Sequence, residues 1–185
     1  MLVSLALQAA ACGPPSVDVR VLQSLPRVAR APAAAAERAL LAAGRDRTEA
    51  ADQLGLATLE LEGARVDRDA AAAGRRNLLF AQTRVIYQEK VHALRTQLLG
   101  VAAARVELAR AKHELAKARV VDENSLPEAV DLDVPAFEAE VERAAQLEAE
   151  RTQAAAGVRK QVAILKKAMH AARVASLQAE GGNPR

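Results

Sequence analysis

From Ala33 to Val121 apolar side chains recur at steps of three and four residues, and no proline interrupts the run. That period matches the turn of an α-helix, and sustained over several heptads it predicts left-handed coiled-coil packing. In the later part of the run the seam reads Phe80, Tyr87, Val91, Leu94, Leu98, Val101, Ala104, Leu108, Ala111, Leu115 and Ala118. A turn is expected over residues 122 to 134, around Pro127. Asp133 as a cap and Pro135 in the first turn then open another long helix. Its seam reads Phe137, Val141, Ala144, Ala155, Val158, Val162, Leu165, Met169 and Ala172. Glu148 and Arg151 interrupt that seam, either as a buried ion pair or as a point of solvent access. Gly181-Gly182-Asn183-Pro184 ends the helix.

Folding the chain at Pro127 tests this pattern. In an antiparallel hairpin, facing residues should have numbers summing to about 255. Phe137 then meets Ala118, Val141 meets Leu115, Val162 meets Leu94 and Met169 meets Tyr87, so the two seams stay in phase. Two helices cover only one stripe each. Leu78, Val85, Leu99 and Val106 form a neighbouring apolar column that a third helix or a partner would have to cover.

Residues 33 to 73 carry a seam of their own: Ala36, Leu40, Ala43, Ala50, Leu54, Ala57, Leu61, Ala64 and Ala71. They could fold back at Gly74-Arg75-Arg76-Asn77, with the glycine closing one helix and Asn77 capping the next. The column Leu59, Val66, Ala73, Phe80, Tyr87, Leu94 runs at seven-residue spacing straight across Gly74. It favours one continuous or kinked helix from 33 to 121. The expected fold class is therefore all-α: a long antiparallel coiled-coil helical hairpin or, with residues 33 to 73 folded back, a three-helix bundle.

Composition agrees with thin helical packing. Of 185 residues, 45 are alanine, there is no tryptophan, and the aromatic side chains are Phe80, Tyr87 and Phe137. So few large side chains fill a thick core poorly, whereas alanine lets helices approach closely. Outside the helical body, residues 13 to 32 hold Pro14, Pro15, Pro26 and Pro32 without periodicity and are read as a tether; residues 179 to 185 are read as a disordered tail.

Cys12 is the only cysteine, and it follows the uncharged run Met1-Leu-Val-Ser-Leu-Ala-Leu-Gln-Ala-Ala-Ala. Gly13-Pro14-Pro15 follows it, and no Lys or Arg occurs before Arg20. The run is too short to span a bilayer, which takes about 20 apolar residues. Residues 1 to 12 resemble the signal peptide of bacterial lipoproteins. Ala9-Ala10-Ala11 stands in for the small residues that admit the backbone to a peptidase, and Cys12 for the lipidated thiol. The resemblance implies a lipid anchor on Cys12 and, with Gly13 next to it, an outer-membrane lipoprotein facing the periplasm. The region 78 to 120 loosely resembles the alanine-rich α-hairpins of outer-membrane efflux components and their periplasmic adaptors, without their strand-rich domains.

Net charge is +3, but its sign is uneven. Arg20, Arg27 and Arg30 make the segment before the helices basic and able to meet anionic lipid headgroups. Asp122, Glu123, Glu128, Asp131 and Asp133 make the turn acidic. Elsewhere the signs alternate, as in Glu107, Arg110, Lys112, Glu114, Lys117 and Arg119, the signature of a solvated helix face. No basic-aromatic motif or zinc spacing points to nucleic acid.

Catalytic candidates are sparse. His92 and His113 lie three heptads apart, about 31 Å along a helix, too far to share a metal. His170 stands alone, and Glu138, Glu140, Glu142, Glu148 and Glu150 point to several faces. No nucleophile triad or phosphate-binding glycine loop occurs. The chain is thus expected to be no enzyme, with no cofactor or metal, and to work as a lipid-anchored envelope spacer or scaffold. It is expected to self-associate or to bind a helical protein along its seam. A periplasmic helical chaperone, an efflux-associated hairpin component and a cytosolic coiled-coil adaptor are the alternatives.

Overall fold

Alanine-rich heptads without proline favour long helices, because alanine loses no side-chain entropy in a helix. Three such helices dominate the computed structural model, which describes residues 16 to 74 and 77 to 181. They are α2 (Ala31–Gly74), α3 (Leu78–Glu123) and α4 (Val134–Gly181). A short α1 (Val19–Leu22) precedes them, and a 3-10 turn (Pro127–Asp131) joins α3 to α4. Among the described residues there is no strand. The fold is all-α, with α2 packed on α3 and α3 on α4.

The helix expected to run on through Gly74 ends there. Asn77 stands at φ 55° and accepts through its carbonyl the first bond of α3, from the Ala81 N–H at 3.0 Å. Arg75 and Arg76 of the suggested turn lie outside the described residues, as do Cys12 and the terminal segments 1 to 15 and 182 to 185. The physical reason for the break is the second apolar stripe of α3. A continuous helix would leave that stripe in water, whereas an antiparallel α2 buries Val85 against Leu61 and Ala64.

The chain divides into two compact units. One joins the described residues up to Ala42 to Val106–Gln146; the other joins Ala43–Arg105 to the described residues from Leu147 onward. The core of the first unit is Val17, Leu22, Ala33, Ala118, Val120, Val121 and Phe137. Phe137 and Ala118, expected to face each other, share this core. Residues 16 to 30 therefore differ from the expected tether: Val17 and Leu22 are buried, and Asp18 caps α1 by accepting the Arg20 N–H at 2.9 Å. The end of α3 closes with a pair of hydrogen bonds typical of a left-handed helix stop. Leu126 N–H donates to the Val121 carbonyl at 3.2 Å, and Ser125 N–H, at φ 49°, donates to that of Asp122 at 3.0 Å. Leu126 also packs on the core that holds Val121. Asp133 caps α4 by accepting the Ala136 N–H at 3.2 Å.

In the second unit, α2 and α3 run antiparallel, tied by Arg65 to Glu89 at 3.4 Å and by Arg84 to Asp67. Between α3 and α4, Arg105 meets Glu148 at 3.0 Å and the Ser176 hydroxyl donates to Asn77 Oδ1 at 2.7 Å. In the first unit Arg119 meets Glu138 at 2.7 Å. Each of these α3–α4 pairs lies within two residues of the register in which facing numbers sum to about 255.

Candidate functional site

The expected seam residues differ in their access to solvent. Val101, Ala104, Ala111 and Ala118 on α3 are buried, as are Phe137, Ala144 and Ala155 on α4. Phe80, Tyr87, Val91, Leu94, Leu98, Leu108 and Leu115 are half-buried, and so are Val141, Val158, Val162, Leu165 and Met169. Val101, Leu98 and Ala155 line one shared groove of the second unit. Glu148 and Arg151 do not pair with each other. Glu148 turns to Arg105 and also accepts the Thr152 hydroxyl at 3.3 Å, while Arg151 stays exposed. A charged pair at the edge of the seam replaces the apolar contact missing there.

On the column beside the α3 seam, Val85 is buried, Leu99 and Val106 are half-buried, and Leu78 remains 38 % exposed. Leu79 and Ile86, next to that column on α3, are exposed, and further apolar surface is open on α2 and α4. Leu56, Leu59 and Val66 on α2 are 54 %, 65 % and 67 % exposed. With Gly63 and Ala70 they follow steps of three and four along a second face of that helix. Leu59 and Val66, which in sequence suggested a continuous helix, thus belong to an uncovered stripe. Among the charged residues of α2 after Ala42, acids outnumber arginines, with Asp52, Glu60 and Glu62 near the stripe. On α4, Ile164 is 67 % exposed among Arg159, Lys160, Lys166 and Lys167.

A polar feature of the first unit escaped the heptad pattern. Lys117 is buried: its Nζ donates to the Val17 carbonyl at 2.7 Å and sits 2.8 Å from Glu114 Oε1. Glu114 Oε2 in turn accepts the Val17 N–H at 2.9 Å. Two charged side chains one helical turn apart thus grip both backbone groups of one residue and hold the chain before α1 on α3. In sequence Glu114 and Lys117 look like any other solvated pair, and their burial depends on a segment about 100 residues away.

His92 and His113 are half-buried and His170 is exposed. Of the α4 carboxylates, Glu138, Glu140 and Glu148 are paired with Arg119, Arg143 and Arg105. Among the described residues no group of three or more His, Cys, Asp or Glu could hold a metal ion, and no helix is long and apolar enough to cross a membrane. The proposed lipidation site, Cys12, lies outside the described residues. Compared with known proteins, the chain matches no family model, no curated protein and no solved structure.

Proposed function

We propose that this chain is a lipid-anchored scaffold of the bacterial cell envelope. It is held through Cys12 in the outer membrane, faces the periplasm, and works through its helical faces without a catalytic residue. The observation that carries the anchor is a single cysteine behind an uncharged apolar run and three alanines, with Gly13-Pro14-Pro15 after it. An apolar run that ends in small residues is the pattern of a cleaved export signal, and the thiol directly after it can carry the lipid. What supports the scaffold is the uncovered stripe Leu56, Leu59 and Val66, since exposed apolar surface of this kind marks an interface. Its acidic surroundings on α2 complement the basic ones of Ile164 on α4, so a second copy fits as well as another helical protein.

Metabolic labelling with a palmitate analogue and membrane fractionation test the reading. The wild-type chain should take up label and stay with membranes through alkaline and salt washes. Cys12→Ala should lose the label and become soluble with its helicity unchanged. A Cys12→Ala chain that stays on membranes through both washes rules out the lipid anchor, and a wild-type chain that is unlabelled and soluble leaves the cytosolic adaptor.

A further inference from the structure

We propose that the first unit holds a binding site for a phosphate group, formed where the segment before α2 meets α3. A cavity of about 430 Å³ opens there, a volume suited to a small ligand. Arg27 and Arg30 reach it from the turn before α2, Arg38 from the first turns of α2, and Lys117 from α3. Leu22 contributes apolar wall. Glu37 is the carboxylate in the lining, and Lys117 is already engaged by Glu114 and the Val17 carbonyl.

Arg27, Arg30 and Arg38 make no ion pair among the described residues. Moreover, the Arg30 Nε is buried without a hydrogen-bond partner. Buried donors are almost always satisfied, so this guanidinium nitrogen, on a half-buried residue that lines the cavity, is a donor suited to an anion seated there. Arg27 and Arg38, both exposed, and the half-buried Arg30 line the same cavity, and an anion seated among like charges offsets their repulsion. Guanidinium groups offer forked donors that match phosphate oxygens in pairs. Ala31 and Ala33 in the lining belong to the positive end of the α2 dipole, which adds to the attraction. The apolar wall takes the carbon portion of a phosphate ester. A lipid headgroup and a free phosphate compound share this chemistry, and the inference stands whether or not Cys12 is acylated.

The test uses the purified full chain as Cys12→Ser, titrated with pyrophosphate by calorimetry at fixed ionic strength in chloride. Saturable binding at one site is expected. Arg30→Gln and, separately, Arg38→Gln should each weaken it at least tenfold with circular dichroism unchanged. Lys160→Gln, which removes the same charge from the other unit, should leave it intact. In a second arm, vesicles of phosphatidylglycerol are compared with vesicles of phosphatidylcholine. Sedimentation with the anionic vesicles alone, lost in Arg38→Gln, assigns the site to a lipid headgroup; pyrophosphate binding without vesicle binding assigns it to a soluble phosphate. Absence of binding in both arms overturns the site. So does equal weakening by Lys160→Gln and Arg38→Gln, which would show only the general field of a basic protein.

Discussion

Lys117 shows how much a single buried charge depends on its partners. Its ammonium contacts the Glu114 carboxylate and the Val17 carbonyl with little access to water. Removing the ammonium takes away two charge-assisted contacts and leaves Glu114 with the Val17 N–H and part of its access to water, a loss of about 1.5–3 kcal/mol. Lys117→Ala should therefore destabilise the first unit by about that amount in urea denaturation and raise protease cleavage between residues 16 and 30. An unchanged midpoint and cleavage pattern would mean that the grip on Val17 contributes nothing. Ser125 offers the opposite case. It holds a left-handed backbone at φ 49° that costs an L-residue about 1–2 kcal/mol. Ser125→Gly should remove that strain, offset in part by the greater freedom of glycine in the unfolded chain, for a net gain of about 0.5–1 kcal/mol. A lower urea midpoint in Ser125→Gly would contradict this account of the α3 stop.

Among the elements, the seams of α3 and α4 were legible because a narrow interface leaves a strict heptad record. Asp133 and Pro135 also marked the start of α4 correctly, since a cap and a first-turn proline are local chemistry. The end of α2 was not legible. Gly74 is a mild breaker, and the column through Leu59, Val66 and Phe80 is equally compatible with an unbroken helix. The choice fell to the burial of Val85 by Leu61 and Ala64, a long-range term absent from any local window. The antiparallel register of α3 and α4 is directly testable. Cysteines placed by Leu94→Cys and Val162→Cys on a Cys12→Ala background should form an intrachain disulfide, since bridged Cα atoms lie within about 7 Å. Crosslinks found solely between chains would sink the intramolecular pairing.

For the whole molecule, charge and apolar surface decide how it meets other chains. The stripe of Leu56, Leu59 and Val66 lies near acids on α2, and the exposed Ile164 lies among lysines on α4. Self-association through these faces predicts a concentration-dependent rise in mass by analytical ultracentrifugation, weakened by high salt as screening removes the charge attraction. Leu59→Glu, a substitution at an exposed position, should abolish that rise and leave helicity intact. A mass that stays equally concentration-dependent in Leu59→Glu would rule out this face for self-association, and a monomeric wild-type chain would leave it to a different helical partner.

The all-α class and the turn around Pro127 were legible from the residues alone, and the expected α3–α4 register agrees with the ion pairs that join those helices. Heptad spacing, caps and proline are local signals that survive without knowledge of neighbours. Long-range packing is what folds α2 back onto α3, brings Val17 and Leu22 into a core, and sets Arg105 rather than Arg151 against Glu148. The same holds for Lys117, which becomes a buried clamp while the similar Lys112 stays in water. In each case the local sequence permits several outcomes of nearly equal energy, and the one that buries the most apolar surface while pairing the most charge prevails.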